Sequence, residues 1–211
     1  MCLSEPGHRA PVAMSASRGP CDDVSPQRTH ALNLDTAAKR LSEISGSSIR
    51  DFATRDFGRD RNLHARSVVV PKAKARRILQ QVRSEIGPEL VAFIGTTQWS
   101  GNEKHVGGEA IVVANGTSQL EILRVARSNA VNYGMVTDDL IKKLTEYDWN
   151  YGIDVFHAET DTIEFRFSKL PSDVPGFCKD LYKFCHDIVD QGAGSIDELE
   201  KEIRRTLEVY L

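Results

Sequence analysis

The stretch Ile153-Asp-Val-Phe-His-Ala-Glu-Thr-Asp-Thr-Ile-Glu-Phe-Arg-Phe167 decides the fold class. Ile153, Val155 and His157 alternate with Asp154 and Phe156, and Ile163, Phe165 and Phe167 alternate with Glu164 and Arg166. Successive side chains of a strand point to opposite faces, so this period of two predicts two half-buried strands. Glu159-Thr160-Asp161 between them supplies turn chemistry, and the pair reads as a β-hairpin.

Working toward the N-terminus, Thr137 or Asp138 caps a helix with Leu140, Ile141 and Leu144 on its inner face. Before it, Ser118 and Glu121 have capping-box spacing, ahead of Leu120, Ile122, Leu123 and Ala126. Glu109–Ala114 reads as a strand ending in the turn dipeptide Asn115-Gly116. Residues 99–108, with Gly101, Gly107 and Gly108, read as a loop. Leu90–Ile94 is apolar without alternation, which predicts a strand buried on both faces. Ala73, Ile78, Leu79, Val82 and Ile86 mark a helix that Gly87-Pro88 stops, and Val68–Val70 before Pro71 is a short strand.

Toward the C-terminus, a long helix from Asp173 to Val189 turns Phe177, Leu181, Phe184, Cys185 and Ile188 inward. Ser195 and Glu198 repeat the capping-box spacing and open a last helix through Leu207, and Val209-Tyr210-Leu211 begins a strand. The sum is an α+β fold: a mixed or antiparallel sheet with a hairpin in its C-terminal half, packed against several helices as a single domain over 67–211.

Residues 1–66 read differently. They are rich in Ser, Pro, Arg and Asp, with ten Lys or Arg against eight acids. So few large apolar groups cannot offset the entropy of ordering the chain, and the expectation is a polar, mostly disordered leader. One short amphipathic helix interrupts it, with Leu34, Ala37, Ala38, Leu41 and Ile44 at helical spacing, Asn33 or Asp35 as cap and Gly46 as stop. Such a leader is also compatible with an export signal of the kind carried by secreted bacterial effectors.

With 40% hydrophobic and 27% charged residues, the 211-residue chain has the composition of a globular protein. A net charge of -3 without a concentrated basic patch argues against nucleic acid. No apolar run approaches the ~18 residues that span a bilayer, and Met1–Val24 lacks the apolar centre of a secretory signal. Four cysteines in a chain of this length do not read as a disulfide framework. The expected setting is therefore cytoplasmic, with delivery into a host cell as the alternative.

Several motifs occur in one order: Gly95-Thr96-Thr97, Ser118-Gln-Leu-Glu-Ile-Leu-Arg124, Asn132-Tyr133-Gly134, Thr137-Asp-Asp-Leu-Ile141, Asp161–Glu164, and Phe184-Cys-His-Asp-Ile-Val-Asp-Gln-Gly192. Together they resemble the domain of unknown function 4253 family, widespread in bacteria, over about residues 67–211. The resemblance implies a fold and brings no activity with it. It also marks two departures. Members usually read Cys-Pro-Asp where this chain has Cys185-His186-Asp187, and they usually end in a Trp-Trp-Asp tail where this chain ends at Leu211.

Candidate chemistry is sparse. Cys185-His186-Asp187 is the densest reactive cluster, but neighbours on a helix point about 100° apart and do not make a thiolate–imidazole pair. Cys178, two turns earlier, shares the inward face with Cys185. His157, Glu159 and Asp161 could aim to one side of the hairpin, yet acids in turns serve the backbone, so no metal is expected. Gly95-Thr96-Thr97 lacks the Lys and following helix of a phosphate loop. Asn132-Tyr133-Gly134 can present a hydroxyl and an amide from a loop, or serve as a helix-ending turn with Tyr133 packed down.

The sequence therefore predicts a non-catalytic binding or interaction module without a cofactor. Its binding candidates are Trp99, His105, Asn132, Tyr133, Asp161 and Asp187, and its partner is another protein or a small ligand. The alternative is a hydrolase-like enzyme whose site converges from distant loops, with Trp99, His105, Tyr133, Asp161 and Asp187 as members.

Overall fold

In the chain order of the computed structural model, α1 (Leu34–Ser45) and β1 (Arg50–Ala53) precede β2 (Arg61–Val70), α2 (Lys72–Arg83), β3 (Leu90–Gly95) and β4 (Glu109–Asn115). There follow α3 (Glu121–Ala126), α4 (Thr137–Tyr151), β5 (Ile153–Ala158), β6 (Ile163–Phe167), α5 (Val174–Phe184), α6 (Ile196–Thr206) and β7 (Glu208–Tyr210). The structure describes residues 33–54, 61–95 and 107–211. The strands form one mixed sheet in the order β1-β2-β4-β3-β5-β6-β7, antiparallel throughout except for the parallel β3–β5 pair. The α+β expectation is met, and β5–β6 is the hairpin.

Helices cover both faces. On one, α1 and α2 bury Ala38, Leu41, Ile78, Leu79 and Val82 against Val68, Ile94, Ile111, Val113 and Phe156. On the other, α3 to α6 close over Phe93, Val112, Val155, Phe165 and Phe167. Every residue of β3 is buried, as its unbroken apolar run predicts. The larger core is aromatic: Tyr147 lies 5.1 Å from Phe177 between ring centroids, and Phe177 lies 5.1 Å from Phe167, both edge-on. Tyr147 donates its hydroxyl to Asp180 at 2.8 Å, and Lys143 pairs with the same carboxylate at 2.9 Å.

Within the compact unit Ala31–Leu211, α1 and β1 lie ahead of residue 67. The expected short helix is present as α1: Asn33 accepts the Thr36 amide at 2.9 Å, and Gly46 closes it in the left-handed region at φ 68°. Small residues do much of the packing here. Ala37, Ala38, Leu41, Phe52 and Ala65 are all buried, and the Phe52 and Phe93 rings meet edge-on at 5.8 Å. A count of large apolar groups undervalues such a segment.

Three local expectations change. α3 opens at Glu121 without a side-chain cap, and Ser118 instead accepts the Leu120 amide at 3.3 Å. α4 is not capped by Thr137 or Asp138; Asp139 reaches back to the Val136 amide at 3.0 Å, while Thr137 donates to the Ser128 carbonyl at 2.7 Å. The helix expected to run to Val189 ends at Cys185, whose backbone is extended (φ -139°, ψ 98°). The chain then re-enters as a wide π-type turn over Ile188–Ala193. No Gly or Pro punctuates 185–187, so sequence pattern had no signal for that break. Ser195 does cap α6, accepting the Glu198 amide at 3.1 Å, and β7 forms where a strand was expected.

Candidate functional site

The hairpin turn is closed by the Glu159 amide donating to the Thr162 carbonyl at 2.8 Å. Beside it, the segment leaving α3 is zipped to the same turn. The buried Ser128 hydroxyl donates to the Glu159 carbonyl at 2.6 Å, and the Asn129 amide to the Thr160 carbonyl at 2.9 Å. Ala130 and Met135 then exchange backbone hydrogen bonds at 3.0 and 3.1 Å, pinching Val131–Gly134 into a tight projecting turn. Gly134 sits in the left-handed region at φ 70°, where a side chain is strained. Tyr133 is 40% exposed and Asn132 is exposed, so the tyrosine projects instead of packing down.

Across from this turn lies the break after α5. It brings Asp187 beside Tyr133, and the phenol is pushed up to about 12, chiefly by the Asp187 carboxylate. A phenolate beside a carboxylate is disfavoured, so the Tyr133 proton stays in place at neutral pH. His186 lies between two rings, 4.9 Å from Tyr182 and 6.2 Å from Tyr133. These walls, the hairpin turn, the outer face of α6 and strand β7 enclose a cleft of about 830 Å³.

Asn132, Tyr133, Asp161 and Asp187 all line this cleft. Trp99 and His105, with most of the 99–108 loop, lie outside the described residues. Gln191, at the end of the 187–191 segment read as part of the binding surface, also lines it, and sequence reasoning missed Val131, Glu202, Thr206 and Tyr210. Glu202 and Thr206 belong to the polar face of an amphipathic helix, which pattern alone assigns to solvent.

The reactive candidates are dispersed. Cys178 is buried against the core, and burial pushes its thiol up to about 11. Cys185 lines the cleft with its thiol also raised by burial, and its neighbour His186 packs with tyrosines. The helical angle invoked against a Cys185–His186 pair does not apply, since the helix has ended, but the two still form no hydrogen bond among the described residues. A raised thiol without a base or cation is a poor nucleophile.

His157 departs from its predicted face. A bulge between Val155 and His157 leaves Phe156 unpaired, so His157 stands opposite Glu164 instead of sharing the Val155 side. Its Nδ1 meets Glu164 at 2.5 Å and its Nε2 meets Glu159 at 3.4 Å. Burial alone would lower its pKa, but the Glu159 and Glu164 carboxylates outweigh burial and raise it to about 9. Asp161 faces the cleft instead, so the His157–Glu159–Asp161 set does not assemble. Two carboxylates on opposite ring nitrogens hold a proton better than they share a metal. Among the described residues, no group of three or more His, Cys, Asp or Glu is placed to hold a metal ion.

The geometry defines a class: a mixed α+β sheet layered by helices, with a cleft at the β7 edge and no nucleophile–base pair in the described part of it. The family model described as Domain of unknown function (DUF4253) matches residues 110–211. The whole cleft lies inside that match, whereas β1 to β3, α1 and α2 precede it. No curated protein and no solved structure matches the chain. No helix among the described residues is long and apolar enough to cross a membrane.

Proposed function

We propose that the chain is a non-catalytic binding module and that the β7-edge cleft is its ligand site. The observation that carries this is convergence. Asn132, Tyr133, Asp161 and Asp187 come from three separated segments and line one cavity of about 830 Å³, within the size range of ligand pockets. The polar groups there suit recognition more than chemistry: a phenol that keeps its proton, an exposed amide, and carboxylates. A ligand that binds only the folded state raises the unfolding temperature in proportion to its occupancy. A thermal-shift screen on the full chain, repeated on the Asn132→Ala/Tyr133→Ala double variant, tests the assignment. Ligands that stabilise the parent should lose their effect in the variant, and undiminished shifts would move the site elsewhere.

A hydrolase-like enzyme is the second reading. It is favoured by the presence of Tyr133, Asp161 and Asp187 in the same cleft. Turnover of an ester or phosphoester panel that disappears in Asp187→Asn would establish it over the first.

A further inference from the structure

We infer that the cleft holds an extended segment of a partner protein, apolar and basic in alternation, lying along β7; this rests on the binding-module reading and names its ligand class.

Three observations converge on it. First, Val131 is 70% exposed, Tyr210 62% and Tyr133 40%, and all three stand on the lip of this one cleft. Large apolar side chains scattered singly need no explanation, but a set around one cavity marks a contact surface. A small ligand on the cavity floor would leave Val131 and Tyr210 wet, whereas a chain segment crossing the lip covers both.

Second, the charge has one sign. Asp161, Glu164, Asp187, Glu202 and Glu208 line the cleft, and no Lys or Arg is among its described lining residues. Part of this is compensated from outside: Arg76 pairs with Glu208 and reaches Glu164 at 3.6 Å, and Arg205 reaches Glu202 at 3.7 Å. Asp187 is different: it stands beside the Tyr133 phenol and makes no Lys or Arg ion pair among the described residues. Its natural complement is an ammonium or guanidinium supplied by the partner.

Third, β7 is the edge strand and forms a wall of the cleft. Ile163 and Leu211 exchange hydrogen bonds at 3.0 and 2.9 Å, so the next pair, Glu164 and Tyr210, is non-hydrogen-bonded. The Tyr210 amide and carbonyl therefore point away from β6. The corresponding groups of Glu208 are already met by the Thr206 hydroxyl at 3.1 and 3.4 Å. Strand addition is thus restricted to the Tyr210 end, and alternate side chains of the segment fall to the lip and to the acids.

Fluorescence anisotropy with the full chain and short labelled peptides tests this. The set is an alternating Val/Lys peptide, an alternating Val/Glu peptide, a Leu/Lys peptide patterned as an amphipathic helix, and the Val/Lys peptide with a single N-methylated amide. The Val/Lys peptide should bind best, at least about tenfold tighter than Val/Glu, and more weakly as salt rises. Tyr133→Ala and Asp187→Asn should each weaken it about tenfold, N-methylation should weaken it with the charges unchanged, and Trp149→Ala, on exposed α4 surface, should not. Equal binding of Val/Lys and Val/Glu, preference for the helical peptide, or indifference to Asp187→Asn overturns the inference. If no peptide binds while a screened small molecule stabilises the parent and not Asn132→Ala/Tyr133→Ala, the inference falls and the binding-module reading stands.

Discussion

Two of the tyrosine–aspartate pairs among the described residues are used in opposite ways. Tyr147 donates to Asp180 from within the aromatic core, only 1% exposed, with Lys143 neutralising the carboxylate. Tyr133 stands beside Asp187 on a projecting turn, 40% exposed, with no cation on the carboxylate among the described residues. Burial is the main cause raising the first phenol; the carboxylate itself is the main cause raising the second. The same two groups therefore give a satisfied structural anchor where the surroundings complete them, and a ligand-facing pair where the surroundings leave them open.

The largest effect expected from breaking this comparison is at Tyr147. Truncation to Ala removes the ring at the centre of the aromatic cluster and leaves a cavity, at a cost of about 3–5 kcal/mol, measurable by urea unfolding. Phe at the same position keeps the ring and strands only the hydrogen bond to Asp180, so about 1–2 kcal/mol is expected. If the two variants cost the same, the hydroxyl and not the ring anchors the core.

Next comes Leu41. If α1 belongs to the folded unit, Leu41→Ala opens a cavity between α1 and the sheet and costs about 2–4 kcal/mol in one cooperative transition. If α1 is a detachable leader, the variant unfolds at the parental midpoint.

A comparable effect should appear as pH dependence at His157. Its pKa is raised from 6.5 to about 9 in the folded state. Below about pH 6.5 folded and unfolded chains both hold the proton, and the contact with Glu159 and Glu164 contributes fully. Between 6.5 and 9 the unfolded chain releases the proton while the folded one keeps it, so stability falls as pH rises. Above 9 the contribution, about 3 kcal/mol at most, is gone. His157→Gln should flatten this slope, and an unchanged slope would assign it to other groups.

How much of this was legible follows from which physical signals are local. The hairpin at 153–167 was legible because its period of two is written in adjacent residues, and so were the Asn33 and Ser195 caps. α1 was undervalued because Ala37 and Ala38 pack by being small, which a count of large apolar groups does not register. The break at Cys185 carried no Gly or Pro. The His157–Glu164 contact depends on a bulge that changes register, a feature of strand pairing and not of either strand. The site was half legible. Asn132, Tyr133 and Asp161 stood out because turns expose what they carry, but their meeting with Asp187 depends on Ser128 and Asn129 zipping one loop to another. Glu202 and Tyr210 enter only because α6 and β7 happen to wall the same space.

The smallest stability effect is expected at Tyr133, and there the comparison is tested most sharply. Its ring rests on the surface near His186, so Tyr133→Phe and Tyr133→Ala should leave the urea midpoint and the unfolding temperature at parental values. The same substitutions should change ligand response in graded fashion. Phe retains the apolar lip and loses only the hydroxyl beside Asp187, so it should weaken a basic ligand less than Ala does. Asp187→Asn in a Tyr133→Phe background should then add little more, because both changes disable one unit. Additive losses would mean that Tyr133 and Asp187 contact the ligand independently and that their pairing is incidental. A drop in stability equal to that at Tyr147 would make the second pair structural after all, and the cleft would lose its most distinctive feature.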